Sequence, residues 1–523
     1  MKLKENKLLL FDFLAISITV YSFFLGYNYS IYNNDFHHWS YILSSYIDYK
    51  NNLKLFKEIF LQYGPGQIIF FYLLDYFTKI NLVSIGIISS VIYSINLFLL
   101  YKILSIISSK KISLIIILLL FIVHPFSIYP WPDYFSGFCI NLFVYFFLKE
   151  KQTKSFIIIG AFFLFLAVFF RSTYLFSIIS AIIIYLIFSL YKKKKILFTK
   201  NIIFFLIFLF SYFIILLNYN NLTNWYSQSI GVIANYSYGS DSPYMNKIID
   251  YWGSNIWLIL KFIKMGFRWF FSIFNIFKIN NIIFTIFFLI NFIFILKKIK
   301  KNIFFFEQKI IFISLLGLCG FIQSFMIYEV FRNINASAGI FICGAYVINN
   351  NNIKEFFKKN ILLGLFLKLF TIIIIIKLAI GFPNNSTFLK YEDYKKQEYT
   401  KLNISFFSDR KMININTFEY YKNLEEVLCK KSSKIVNLTG DFALSYLCVN
   451  NIKNTISPAM QMIIMNPKEY ERIFIKKELL HNEILISNEK MDYKNFILIY
   501  EIKNPHDPMP WYGANKYIYK LKN

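Results

Sequence analysis

The stretch NNDFHHWSYI (33–42) gathers one Asp, two His and a Trp directly after a long apolar run, in a chain with only 5 His and 29 acids among its 523 residues. If 34–42 is helical, Asp35, His38 and Trp39 fall at i, i+3 and i+4 and share a face, while His37 points elsewhere. A carboxylate beside an imidazole suits removal of a proton from a hydroxyl, the acid accepting the proton and the histidine orienting a phosphate or holding a metal. The same residues also fit a plainer role. Asn33, Asn34 and Asp35 are competent helix caps, and His and Trp anchor helices at lipid headgroups.

Other polar groups stand out because their surroundings are apolar. Arg171, in LAVFFRSTYLFS, is a lone charge in a long apolar stretch, and a cation at membrane depth implies an anionic partner unless it snorkels from a hairpin tip. HPFSIYPWPDYFSGF (124–138) is a Pro-rich break with His124 and Asp133 towards its ends, and Asp133 there is either an N-cap or a site residue. Glu329 and Arg332 in YEVFRNINASAG carry the same two readings as Arg171. Arginines suit a phosphate or diphosphate because the guanidinium opposes its charge and engages two oxygens at once. Asp12 and Asp75 lie inside or at the edge of apolar runs. No Gly-rich phosphate loop, HExxH or GxSxG is present, which turns the expectation from a soluble nucleotide to a lipid-linked substrate.

The elements that position these residues follow from composition. At 57% hydrophobic, 21% aromatic and 16% charged, the chain is far more apolar than a soluble protein of its length. Runs such as LLLFDFLAISITVYSFFLGY (8–27) have the length and apolarity to cross a hydrocarbon core of about 30 Å as helices. Lys2, Lys4 and Lys7 precede that run and no small-residue cleavage pattern follows it, so a signal anchor is expected. The formal net charge of +27 collects in lysine clusters between apolar runs, as in YKKKKILFTK (191–200), which points to cytoplasmic loops rather than to nucleic acid. Cys139, Cys319 and Cys343 read as packing residues; Cys429 and Cys448 fit a pair if their compartment is oxidising.

Residues 1–381 alternate apolar runs with short breaks, whereas 382–523 read as a soluble α/β domain with a helix-like stretch at 467–485 and β-rich runs at 433–440 and 495–502. With 1–7, 102–111, 149–154, 192–200, 297–301 and 351–359 placed in the cytoplasm, the opposite face receives the first loop 28–63, 124–133, Arg171, 218 to about 255, 329–335 and the C-terminal domain. The fold expected is an α-helical polytopic membrane protein with about 11–13 transmembrane helices, the count turning on 66–101 and 256–275, and a small extracytoplasmic α/β domain. Within the first loop, KLFKEIFLQYGPG (54–66) places Phe56, Ile59, Phe60 and Tyr63 at helical spacing, with Lys54, Lys57 and Glu58 facing water. It reads as an amphipathic segment lying on the membrane, with Pro65 able to open the next helix.

Taken together, these motifs resemble the multi-pass glycosyltransferases of the GT-C fold, the class of protein O-mannosyltransferases and lipid A aminoarabinose transferases. The resemblance lies in Asp35 near the start of the first loop, in LFKEIFLQYGPG with Glu58, Tyr63 and Pro65, in Asp133 opening a later span, in FFRSTYLF at Arg171, and in KIVNLTGDFALSYL with its Gly440-Asp441 turn. The first-loop acid stands alone rather than as an Asp-Glu pair, and FRNINASAG lacks a histidine found in many relatives.

The resemblance implies transfer of a sugar from a polyprenyl-phosphate donor to an acceptor hydroxyl on a lipid, glycan or protein, on the outer face of the plasma (inner) membrane. Asp35 would be the general base, Arg171 and Arg332 would hold the lipid phosphate, and His37, His38, Glu58, Tyr63 and Asp133 would bind substrate. One Asp and two His leave a divalent metal cofactor undecided. A lipid-linked oligosaccharide flippase, an O-antigen polymerase or ligase, and a noncatalytic scaffold are the other readings. The flippase would favour inverted repeats, which are not evident, and the polymerase a long outer loop carrying arginines, whereas 218–255 has none.

Overall fold

The computed structural model describes residues 2–32, 36–57, 59, 61–123, 131–149, 153–193, 199–230, 279–300, 303–321, 335–349, 399–401, 412–428, 435–437, 484–487, 490, 496–503 and 515–521. The described part is mostly helical, with a small sheet near its C-terminal end. Four helices are long and apolar enough to cross a membrane. They are α1 (Lys2–Tyr32) over its Leu9–Tyr32 part, α4 (Leu82–Ile107), α8 (Tyr174–Tyr191) and α9 (Thr199–Asn218). These mark a membrane protein. α5 (Lys110–Val123), α6 (Pro132–Leu148) and α7 (Lys154–Phe170) are shorter and equally apolar. The expected count of crossings extends over segments outside the described residues, 256–275 among them.

Of the two readings of 66–101, the structure holds a single helix of spanning length. α3 (Gly66–Leu74) has 9 residues, about 13 Å at a helical rise, too short to cross. It packs beside α2 (Phe36–Lys50), and Lys50 bonds Asp75 at 2.6 Å just past its end. The one long helix in that stretch is α4.

Contacts between helices fix their directions. The Tyr101 hydroxyl donates to Asp12 at 2.7 Å and the Ser94 hydroxyl to Ser22 at 3.2 Å, so α1 and α4 are antiparallel. Asn141 donates to Asn96 at 2.8 Å while the Tyr93 and Tyr134 rings meet at 5.6 Å, so α4 and α6 run parallel. The buried Ser94–Ser22 and Asn141–Asn96 pairs join helices where hydrocarbon offers no competing partner.

As a result, lysine-bearing segments from different parts of the chain share one end of the helical region. Lys110 and Lys102 reach Asp12 at 2.5 and 3.9 Å. Lys309, in α12 (Phe305–Gly320), donates to the Phe147 and Lys149 carbonyls at 2.9 and 3.3 Å, closing the C-terminal end of α6. Lys298, near the end of α11 (Ile279–Lys300), pairs with Glu307. Midway along α11, Asn291 donates to the carbonyls of Phe287 and of Ile340 in α13 (Ala338–Asn349) at 2.7 and 2.8 Å, and accepts from Ser314 of α12.

The C-terminal part has an antiparallel ladder of β1 (Tyr399–Lys401) with β2 (Met412–Asn414), then α14 (Ile415–Leu428) and a four-stranded sheet. The sheet strands are β3 (Ile435–Asn437), β4 (Ile484–Ser487), β5 (Phe496–Lys503) and β6 (Asn515–Leu521), ordered β3-β4-β6-β5, with β3 parallel to β4 and the other pairs antiparallel. The expected helix at 467–485 is corrected at its end. Ile484 and Leu485 belong to β4 and are buried between two paired strands, so sheet burial overrides the helical periodicity there. Residues 467–483 and the Gly440-Asp441 turn lie outside the described residues, as do Cys429 and Cys448.

Candidate functional site

Of the residues singled out in the sequence, Asp35, Glu58, His124, Glu329 and Arg332 lie outside the described residues. His37 and His38 are in the first turn of α2, and nothing is described of their side chains. Trp39 is not a headgroup anchor. It is 2% exposed, its ring meets Tyr29 at 6.4 Å, and it lies over Gly86 of α4, where a Cβ would collide with it. A side chain enclosed by two other helices contributes to packing rather than to interfacial anchoring.

Tyr63, Asp133 and Arg171, 108 residues apart from first to last, come together at the end of the helical region away from Lys102, Lys110 and Lys309. Pro132 opens α6, where its missing N–H costs nothing, and Trp131 is the N-cap. Asp133 is therefore in the first helical turn, not at the cap, where its charge complements the helix dipole. Arg171 ends α7, its N–H bonded to the Ala167 carbonyl at 3.1 Å, so it sits in the tight turn to α8. From there Nη1 donates to Asp133 Oδ2, and Nε donates to Thr173 Oγ1 at 3.1 Å. The anion that the lone cation implied is thus a residue of the chain. Arg171 is 4% exposed and Asp133 fully buried, which rules out a snorkelling arginine in this arrangement.

Aromatic rings and the backbone complete the corner. The Tyr63 ring centroid lies 4.9 Å from the Arg171 guanidinium carbon and 4.8 Å from the Trp131 ring centroid, the two rings nearly perpendicular. The Ser172 N–H donates to the Tyr63 carbonyl at 2.6 Å, Trp225 Nε1 to the Ser172 hydroxyl at 3.0 Å, and Ser136 Oγ to the Ala167 carbonyl at 2.9 Å. Gly64 has φ +148°, and a Cβ there would lie 2.6 Å from the Phe169 carbonyl oxygen, so the first loop presses its backbone onto the α7–α8 turn. One turn into α6, Gly137 is in contact with Asn335, three residues beyond Arg332 in sequence.

The amphipathic helix expected over 54–66 is not formed. Phe56 has φ +64°, and Phe56, Ile59 and Tyr63 are buried at 2%, 3% and 6% exposure, inside the protein instead of on a membrane-facing stripe. Lys54 and Lys57 are exposed, as expected. Protein donors and acceptors satisfy the irregular backbone, as burial requires. Asn221 Nδ2 donates to the Leu55 carbonyl at 3.2 Å, Gln228 Nε2 to the Phe56 carbonyl at 2.8 Å, and Ser229 Oγ to the Leu61 carbonyl at 2.9 Å. The Leu61 N–H reaches Gln228 Oε1 at 3.0 Å, and the Gln62 N–H the Tyr41 hydroxyl at 3.2 Å. Pro65 directly precedes α3, at its N-cap.

Sequence reading missed Trp131, Ser172, Trp225 and Gln228. Trp131 carries a faint signal in the WPD triplet, but the others belong to turns whose partners lie more than fifty residues away.

Nearby carboxylates are tuned in opposite directions. At Asp75 burial pushes the pKa up, but the hydrogen bond from Lys50 and the Ile80 N–H pull harder and leave it below the ordinary value. At Asp48, half-buried in α2, burial pushes the carboxyl up to about 7.

Chemically, a buried ion pair stacked under an aromatic ring is neutral overall and holds geometry. A phosphate at Arg171 would have to displace Asp133 from a site without solvent access. Among the described residues no three His, Cys, Asp or Glu side chains gather to hold a metal. No protein-family model matches the sequence, and no curated protein does.

Proposed function

We propose that this protein is a membrane glycosyltransferase of GT-C type that moves a sugar from a polyprenyl-phosphate donor to an acceptor hydroxyl at the face opposite its lysine-rich loops, the outer face of the plasma membrane. Asp35 takes the acceptor proton as the acceptor oxygen bonds to the anomeric carbon. The bond from that carbon to the phosphate oxygen breaks, and polyprenyl phosphate leaves with the electron pair. Arg332 opposes the phosphate charge, and His37, His38 and Glu58 line the sugar or acceptor site. In this reading Asp133, Arg171 and Tyr63 position the first loop instead of touching substrate.

The observation that supports this reading is the seat of the first loop. The loop that begins near Asp35 ends on the Asp133–Arg171 pair, on a rigid corner at the end remote from Lys102, Lys110 and Lys309. Sites supported by locked side chains of this kind are what positional catalysis needs.

Mass spectrometry of envelope lipids and glycans from a deletion strain tests the proposal. Loss of a single sugar from a finished glycan or lipid, with its polyprenyl-phosphate donor accumulating, is the expected outcome. Accumulation of an intact lipid-linked oligosaccharide with every sugar in place would instead identify a flippase.

A further inference from the structure

The segment after α9 is not part of the loop it touches, yet it satisfies that loop's backbone at four points. α10 (Leu222–Trp225) passes into a π-helical turn at Tyr226–Ile230, a wider turn that brings Gln228 and Ser229 side by side against residues 55–61. Gln228 is 8% exposed and uses both ends of its amide, donating to the Phe56 carbonyl and accepting from the Leu61 N–H. It thereby closes residues 56–61 into a loop whose first member, Phe56, is a bulky residue held at φ +64°. Such backbone persists only where contacts over-determine it, and here local bonds, from the Phe56 N–H to the Ile59 carbonyl at 3.0 Å and from the Ile59 N–H to the Lys54 carbonyl at 3.2 Å, are joined by one from 172 residues away.

We infer that Gln228 is a positioning residue of the proposed transferase, a clamp that fixes the first loop in its strained form and so holds that loop in place for reaction. This rests on the function proposed above. The seat has two anchors, linked by the bond from Trp225 Nε1 to the Ser172 hydroxyl. At residues 63–64 the loop is fixed to Arg171 and Ser172, and at 55–61 to Asn221, Gln228 and Ser229. The first anchor is charged and aromatic, the second made wholly of neutral hydrogen bonds. Gln228→Glu isolates the clamp, since a carboxylate still accepts from the Leu61 N–H but cannot donate to the Phe56 carbonyl.

Lys57 is an exposed trypsin site inside the clamped loop and Lys54 one just before it, and Lys193, just past α8, is an exposed site far from both. The purified full-length chain in detergent, as wild type, Gln228→Glu, Gln228→Ala and Ser229→Ala, would be digested with trypsin and assayed with a polyprenyl-phosphate sugar. Cleavage at Lys54 and Lys57 should accelerate about tenfold in both Gln228 variants and less in Ser229→Ala, with cleavage at Lys193 unchanged. The kcat for transfer should fall with KM for the donor little altered. Unchanged cleavage at Lys54 and Lys57 would overturn the clamp, and accelerated cleavage with full transfer would overturn its role in positioning. If the wild type transfers nothing, the proposed function fails while the trypsin comparison still decides the clamp.

Discussion

Two ends of one helical region handle charge in different ways. At the lysine-rich end, Lys110 and Asp12 are about a third and a quarter exposed and Lys102 nearly half, so their pairing with Asp12 is solvated. At the other end the Asp133 and Arg171 side chains are 0% and 5% exposed and the pair is covered by Tyr63. Solvated pairs contribute little to stability and report mainly on which end of a helix carries positive charge. A buried pair, whose ions have lost their water, holds only while its geometry is kept. The charges therefore orient the molecule at one end and shape it at the other.

The contrast breaks most sharply on Arg171→Met, which leaves Asp133 as a buried unpaired carboxylate and should cost roughly 3–5 kcal/mol. Asp133→Leu combined with Arg171→Met should recover much of that loss, because it removes both desolvated ions. Thermal unfolding in detergent reads both, and equal losses in the single and double variants would contradict the pairing.

Gly64→Ala ranks next, at about 1–3 kcal/mol, since a side chain at φ +148° is strained and its Cβ has no room beside the Phe169 carbonyl. The same unfolding assay checks it.

Asp48 gives a pH-dependent effect. With its folded pKa raised to about 7, the folded chain keeps a proton that the unfolded chain releases near its ordinary carboxylate value. The stability this contributes is complete below that ordinary value and is lost as pH rises to about 7. Asp48→Asn should therefore melt higher than wild type at pH 8, with the advantage vanishing towards pH 4. A melting difference independent of pH would show that Asp48 does not titrate in this way.

At the solvated end, Lys110→Ala should change stability by about 0–1 kcal/mol, an effect that shrinks further in high salt.

The same contrast explains what was legible in the sequence. Lone charges in apolar runs are visible because hydrocarbon makes them costly, so Arg171 announced a need for an anion. That the anion is Asp133, 38 residues earlier, depends on how α6 and α7 pack, which no local pattern records. The lysines at 102–111 and the Lys149 backbone come to one end of the helical region.

The loop at 54–66 misled for the opposite reason. Its apolar spacing fits a surface helix, but Asn221, Gln228 and Ser229 offered its backbone other partners, and its aromatic residues were buried in the protein. β4 was obscured likewise, because Ile484 and Leu485 continue a helical pattern until strand pairing claims them. α14 was overlooked although Tyr421, Leu424 and Leu428 form a buried stripe at helical spacing, with Glu425 and Glu426 beside it. Asp35, the residue on which the proposed function turns, was legible only as an acid in an unusual place.

The most direct measurement is transfer by Asp35→Asn. The variant and the wild type, purified at equal abundance and reconstituted with a polyprenyl-phosphate sugar and envelope lipid acceptors, would be compared for release of polyprenyl phosphate. The expected result is release by the wild type and none above background by the variant, with both melting at the same temperature. Release at the wild-type rate from Asp35→Asn would contradict the assignment of the general base.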